Sequence, residues 1–201
     1  MSKLGHIEKQ PGQVYLLGNL IVAPNPCDKA LAYLYLMFAK QEILPRVFYE
    51  WRGEIGLRDF LDWYTRKDVV VLGCYKQETT GSSPEIVGLG WMSSVNVFSA
   101  NGSGEWRRGD LGEAFLRHIP MAETFQFGHM MLEWAFEEAK MNVLFGSTPA
   151  ANRPAVIYAK RMGFKEIGLA PGATMWRGEP CSAWLSALTR EDWKNGSIES
   201  L

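Results

Sequence analysis

The sequence predicts an α+β domain in which helices cover a mixed β-sheet. Apolar residues recur at helical spacing in four windows, near residues 28–40, 57–66, 127–140 and 152–162,. Strand-length runs of apolar and β-branched residues fall between them. Three of those runs follow one another with only turns between, which suggests an antiparallel meander.

Taken in order, residues 13–22 read as one strand. The stretch APNPCD then supplies Asn25 as N-cap, Pro26 at the first helical position and Asp28 in the first turn of a helix that runs to about Lys40,. Residues 57–66 form a second helix, and 68–75 (DVVVLGCY) a buried strand. The polar turn KQETTGSSPE leads to a strand over 86–98,. SANGSGEWRRGDLG reads as a loop, with Trp106, Arg107 and Arg108 at its tip, and residues 113–119 as a strand that Pro120 ends,. A helix over 127–140 shows an apolar face of Phe127, Met130, Met131, Trp134 and Ala135,. A short strand at 142–145 and a helix at 152–162 follow, the helix closed by Gly163 at C′, then strands at 164–169 and 181–188,.

At 201 residues, with 47% hydrophobic and 21% charged, the chain has the composition of one globular domain over residues 1–201, with residues 1–12 and 194–201 as flexible ends,. Lys and Arg number 21 against 22 Asp and Glu. That balance gives no electrostatic reason to expect nucleic acid or an anionic membrane as a partner. The N-terminus has no apolar signal core and no stretch reaches the roughly 20 apolar residues a bilayer requires, so a cytoplasmic protein is expected. Cys27, Cys74 and Cys181 are far apart and odd in number, which argues against disulfides and a zinc site; no metal is expected,. Eight tryptophans are spread without basic interleaving. An excess of exposed aromatics would allow a homo-oligomer or a protein assembly.

The most informative stretch is NRPAVIYAKRMGF, residues 152–164, together with HIPMAETFQFGHMML, residues 118–132. The first resembles the last helix of the GNAT superfamily of acyl-CoA N-acyltransferases, with Asn152, Ala155, Gly163 and Phe164 at the family spacing. The second can be laid without gaps over the family's pyrophosphate-loop pattern, where Pro120, Gly128, Met131 and Leu132 match. The resemblance covers about residues 69–193, tail strand included, and also extends to phage-borne and ribosomal-protein-acetylating members. It implies a GNAT-like fold, acetyl-CoA as co-substrate, and a small-molecule or peptide amine as acceptor. The acceptor would enter between residues 28–66 and the last strands.

The family binds pantetheine beside a splayed strand and pyrophosphate on backbone N–H groups at a helix N-terminus. On this resemblance the cofactor-binding positions are His118, Ile119, Phe125, Gln126, Phe127, Gly128, His129 and Asn152. Glu123 stands where Gln or Arg is usual, and Thr124 and Gln126 where glycines are usual. A carboxylate there costs affinity unless it points away. Direct transfer needs a base for the acceptor ammonium and an acid for the leaving thiolate. The resemblance implies Glu113 as base and a tyrosine as acid; Tyr158 falls one position short of the family's tyrosine, at which Ala159 stands. One residue is about 100° of helix, so Tyr158 reads equally as core packing, with Ser147 or Thr148 as alternative donors. Glu113 reads equally as a solvated strand-end carboxylate, and His118 and His129 as surface residues. The alternative function is a GNAT fold without catalysis, acting as a structural or interaction component, phage-associated on the same resemblance.

Overall fold

The computed structural model describes residues 8–10, 14–47, 55–79, 81–100 and 104–196. Most of both expected flexible ends, and Trp51, lie outside these residues. Among the described residues nine strands form one sheet in the order β1-β2-β3-β4-β5-β6-β7-β9-β8. Strand β1 spans Glu8–Gln10, β2 Val14–Leu17, β3 Leu20–Pro24, β4 Val70–Lys76, β5 Glu85–Ala100, β6 Gly104–Phe115, β7 Val143–Pro149, β8 Lys165–Trp176 and β9 Glu179–Thr189. Helices α1 (Asp28–Lys40), α2 (Leu44–Val47) and α3 (Leu57–Tyr64) lie between β3 and β4; α4 (Met121–Glu137) joins β6 to β7; α5 (Arg153–Arg161) joins β7 to β8; α6 (Arg190–Lys194) follows β9.

The α+β class with a mixed sheet is what forms. Several local expectations change. Residues 13–22 are not one strand: Gly18 takes φ +61, and with Asn19 it turns the chain between Leu17 and Leu20, making a β2–β3 hairpin. A glycine at the first central position is the type II′ hairpin signal. Asn25 does not cap α1; it sits at φ +55 and donates its backbone N–H to the Val71 carbonyl, so the helix starts after Cys27.

The larger correction concerns residues 104–120. The stretch around Trp106–Arg108 is not a loop tip but part of strand β6, paired with β5 from Gly104 to Phe115. Residues 116–120 are a turn rather than strand. Helix α4 then begins at Met121, six residues earlier than the apolar periodicity suggests, with Pro120 as N-cap.

The apolar face of α4 makes much of the core. Phe127, Met130, Met131, Leu132, Ala135 and Phe136 are fully buried, packed with Tyr15, Leu20, Val22, Cys74 and Leu89 of the sheet. Helices α1 and α3 cover the other face of the N-terminal strands, where Trp63 meets Trp91 edge-on at 5.6 Å. No helix among the described residues is long and apolar enough to cross a membrane.

All strand pairs but one are antiparallel. The exception is β6–β7, whose crossover is α4, as parallel strands require,. This parallel ladder is short: Arg108–Asp110 against Val143–Phe145. Beyond it β6 runs on to Phe115 bonded to β5 alone, and β7 to Pro149 bonded to β9 alone. The two strands part, and their facing edges carry backbone N–H and C=O groups with no ladder partner. Such groups need water or a ligand.

Candidate active site

A cleft of about 510 Å³ occupies the gap between the parted strands. Its walls include Gly112, Glu113 and Phe115 of β6, Ser147, Thr148 and Pro149 of β7, and Asn152, Ala155, Tyr158 and Ala159 around α5. Arg117, Ile119, Met121 and Thr124 stand at the turn into α4.

Two acids meet in it. The Tyr158 hydroxyl lies 2.5 Å from Oε2 of Glu113 and 3.1 Å from the Thr124 carbonyl oxygen. Burial pushes the Glu113 carboxyl up to about 7, only partly offset by the Tyr158 hydrogen bond,. Burial, and then the neighbouring Glu113 carboxylate, push the Tyr158 phenol well above its ordinary value. A hydroxyl carries one proton, so the state of Glu113 decides its use. Ionised, Glu113 accepts from Tyr158; protonated, it donates to the phenol oxygen, and Tyr158 turns its own proton to Thr124. A carboxyl poised near 7 and joined to a phenol is suited to moving protons at neutral pH.

Tyr158, one position short of the family's tyrosine, reaches Glu113, while Ala159 also lines the cleft. Gly128 explains how it fits. A Cβ on Gly128 would lie 2.3 Å from the Tyr158 oxygen, so the absent side chain is the space the phenol occupies against α4. Phe125 packs tilted against the same ring, 4.8 Å between centroids.

The residues expected to form a pyrophosphate loop are placed differently. Glu123 to Gly128 belong to the first turns of α4 and cannot form a loop. Phe125, Phe127 and His129 are buried, Phe127 against Phe115. Gln126 is half-buried on the helix and, like them and Gly128, is absent from the cleft wall. Burial lowers the His129 imidazole pKa, which favours a neutral side chain and not a cation facing phosphate. His118 is exposed in the turn, outside the cleft. Ile119, Ser147 and Asn152 do line it, although Asn152, at the N-cap position of α5, makes no side-chain cap hydrogen bond.

What the sequence missed lies one turn upstream. Thr124 makes the first intrahelical bond of α4, to Pro120, so the N–H groups of Met121, Ala122 and Glu123 lack helical partners,. Together with Arg117, whose guanidinium also lies 4.0 Å from Glu42 Oε2, they form a donor-rich mouth to the cleft. Glu123 does not spoil it, because Lys76 holds its carboxylate at 2.7 and 2.8 Å. The chain therefore offers a polar mouth for an anionic head, a row of unpaired strand edges for an extended amide-bearing arm, and an acid–base pair at the end.

No family model matches the chain, and no curated protein matches its sequence. Solved structures do match in fold. A spermidine N-acetyltransferase from Vibrio cholerae, in complex with CoA and spermine, aligns over 88% of this chain and 99% of its own with a TM-score of 0.70 at 12% identity. A probable GNAT-family acetyltransferase from Chromobacterium violaceum aligns over 96% and 94%, with a TM-score of 0.67 at 15% identity. RimJ of Mycobacterium smegmatis, in complex with CoA-disulfide, aligns over 89% and 86%, with a TM-score of 0.68 at 17% identity. The parted parallel strands, the crossover helix after them and these alignments agree: the chain has the fold of the GNAT superfamily of acyl-CoA N-acyltransferases.

Proposed function

We propose that the chain transfers an acetyl group from acetyl-CoA to a primary amine by direct attack within a ternary complex. The observation that carries this reading is the Glu113–Tyr158 hydrogen bond inside a cleft whose two walls expose unpaired strand edges. The pantetheine arm would bond to the free edges of Leu111–Phe115 and Gly146–Pro149, and the phosphates would meet Arg117 and the first-turn N–H groups of α4. Acetyl-CoA supplies an activated acyl carbon and a thiolate leaving group.

The chain's own residues would then handle the protons. Glu113, as carboxylate, takes a proton from the acceptor ammonium and leaves a neutral amine with a free electron pair. That pair forms the new C–N bond while the C–S bond breaks toward sulfur. Tyr158 delivers the proton on Oη to sulfur and recovers one from Glu113 through their hydrogen bond. The nitrogen sheds two protons in all, one reaching the thiol and one the solvent, so charge and atoms balance. Glu113 near 7 is half ionised at neutral pH, as a base that must both take and return a proton requires,.

Thermal unfolding with acetyl-CoA, CoA and ATP tests the reading directly. A ligand that binds only the native state stabilises it by about 2.7 kcal/mol at one hundred times Kd. Acetyl-CoA and CoA should raise Tm while ATP does not, and thiol release should follow the addition of an amine. No shift at millimolar acetyl-CoA sinks the reading.

A further inference from the structure

The cleft has a blind end where the parted strands meet. The last β6–β7 pair is Asp110–Phe145, so Leu111 and Gly146 are the first residues beyond the seam, and both line the cleft. Glu113 pairs with Gly90, whose missing Cβ would collide with Met131 of α4. Glu113 therefore points to the α4 side, and Leu111, two residues earlier on the strand, points the same way. Gly146 opens to that side too: a Cβ there would lie 2.8 Å from Ser186 Oγ and 3.9 Å from the Phe164 ring. Met162, at the end of α5, reaches across to Gly128 of α4. Leu111, Gly146, Met162, Phe164 and Ser186 thus enclose the end of the cleft that lies between Glu113 and the seam. At about 3.3 Å per residue, the level of Leu111 is about 7 Å past that of Glu113.

This end is uncharged. Among the described residues that line the cleft the ionisable groups are Glu113, Tyr158 and Arg117. The first two stand at the entrance to the blind end, and Arg117 stands at the opposite mouth. Of the five enclosing side chains only Ser186 carries a hydroxyl; it is 1% exposed and bonded at 3.4 Å to the Gly146 carbonyl oxygen. One hydroxyl and one carbonyl give water few partners, and poorly held water is readily displaced by an apolar group. In the transfer reading the phosphates lie at the mouth and the sulfur at Tyr158. The carbon chain on the far side of the thioester carbonyl then continues away from the mouth, toward the seam.

We propose that this blind end is an acyl pocket, and that the chain transfers short unbranched saturated acyl groups, propionyl and butyryl, as well as acetyl. The inference rests on the transfer reading and extends its donor. Leu111, Met162 and Phe164 flank the alkyl chain, and the missing side chain of Gly146 leaves the room in which it lies. The reaction is otherwise the same: the C–N bond forms as the C–S bond breaks, CoA leaves as the thiol, and no further reactant is needed. An acyl group that ends in a carboxylate, such as succinyl, does not fit. Its charge would be buried among these side chains with no cation to meet it and the Glu113 carboxyl behind it.

Calorimetric titration of the full chain with CoA and with acetyl-, propionyl-, butyryl-, succinyl- and hexanoyl-CoA tests the pocket without requiring turnover. Propionyl- and butyryl-CoA should bind more tightly than acetyl-CoA, by up to about fourfold for each added methylene. Butyryl-CoA should also bind at least tenfold more tightly than succinyl-CoA, which replaces its terminal methyl by a carboxylate. Ser186→Val, which places a methyl group over Gly146, should lower the ratio of butyryl- to acetyl-CoA affinity threefold or more. Leu111→Ala, which widens the same space, should raise the ratio of hexanoyl- to butyryl-CoA affinity threefold or more. Each variant's Tm separates a lost pocket from a lost fold, and should Ser186→Val not fold, Leu111→Ala decides by its own ratio. Butyryl-CoA binding more weakly than acetyl-CoA, succinyl-CoA binding within tenfold of butyryl-CoA, or a smaller change of ratio in the folded variant overturns the proposal. Acetyl-CoA bound and used while butyryl-CoA is rejected removes the acyl pocket and leaves the transfer reading standing. The expected order of binding with no thiol released on addition of an amine does the reverse.

Discussion

The phenol of Tyr158 on α5 and the carboxyl of Glu113 on β6 are joined by a 2.5 Å hydrogen bond that links the two walls of the cleft. In the proposed reaction, base and acid would therefore form one proton circuit rather than two separate groups.

Kinetics should show that unity. Glu113→Gln and Tyr158→Phe should each lower kcat by about 10²- to 10³-fold, and the double variant should lose little more than either alone. A fully multiplicative loss in the double variant would show two independent groups.

The pH profile carries a sign. As the proposed base, Glu113 would act only when ionised, so kcat/KM should fall on the acid side with a midpoint near 7. The Tyr158 hydrogen bond lowers the Glu113 pKa, so Tyr158→Phe should move the remaining acid limb upward,. A downward move contradicts the assignment.

Stability follows from the same shift. The Glu113 pKa is raised on folding from its ordinary 4.5 to about 7, so the native state holds a proton that the unfolded chain has released. Its contribution is complete below pH 4.5 and is lost as the pH rises through 7, on the order of 3 kcal/mol across that window. Glu113→Gln should flatten the denaturant-measured stability between pH 5 and 8 relative to the parent chain. An equally steep fall in the variant would exclude Glu113 as its source.

Gly128→Ala tests the space beneath Tyr158. The new methyl would press on the phenol oxygen and on Met162, and should cost about 1–3 kcal/mol of stability while reducing activity as Tyr158→Phe does,. Unchanged kcat in a folded Gly128→Ala protein would mean that the phenol position is immaterial.

Lys76 should matter through Glu123. Lys76→Ala leaves a half-buried carboxylate unpaired beside the cleft mouth, which should raise the KM for acetyl-CoA several-fold with kcat little changed,. Adding Glu123→Ala should restore it. Failure of that rescue would place Lys76 in direct contact with the co-substrate.

The sequence made the fold class and most elements legible because their signals are local. The helix over 57–66 appears as Leu57–Tyr64, and the strand over 68–75 as Val70–Lys76. The apolar periodicity starts α4 too late because the N-cap is Pro120, which offers no side chain to accept a hydrogen bond, and because Glu123, Thr124 and Gln126 are polar enough to resemble a loop. Strand β6 was hidden by its charges: Trp106, Arg108 and Asp110 alternate onto an open face, a period-two pattern obscured by glycines,. Of the site, Glu113, Tyr158, Ser147, Ile119 and Asn152 come together on the cleft wall; Arg117 and Lys76 escaped notice because their roles depend on contacts across the fold.

The brevity of the β6–β7 ladder gives the molecule a mechanical character. Six strands on one side and three on the other meet along a backbone seam only three residue pairs long, Arg108–Asp110 against Val143–Phe145. At its closed end the Asn142 N–H adds a backbone bond to the Arg107 carbonyl, and beyond the seam the Glu113–Tyr158 hydrogen bond also ties the two plates. Amide exchange should then be slow at the seam and fast along the cleft-facing edges of β6 and β7, a contrast that a ligand bridging both edges would erase.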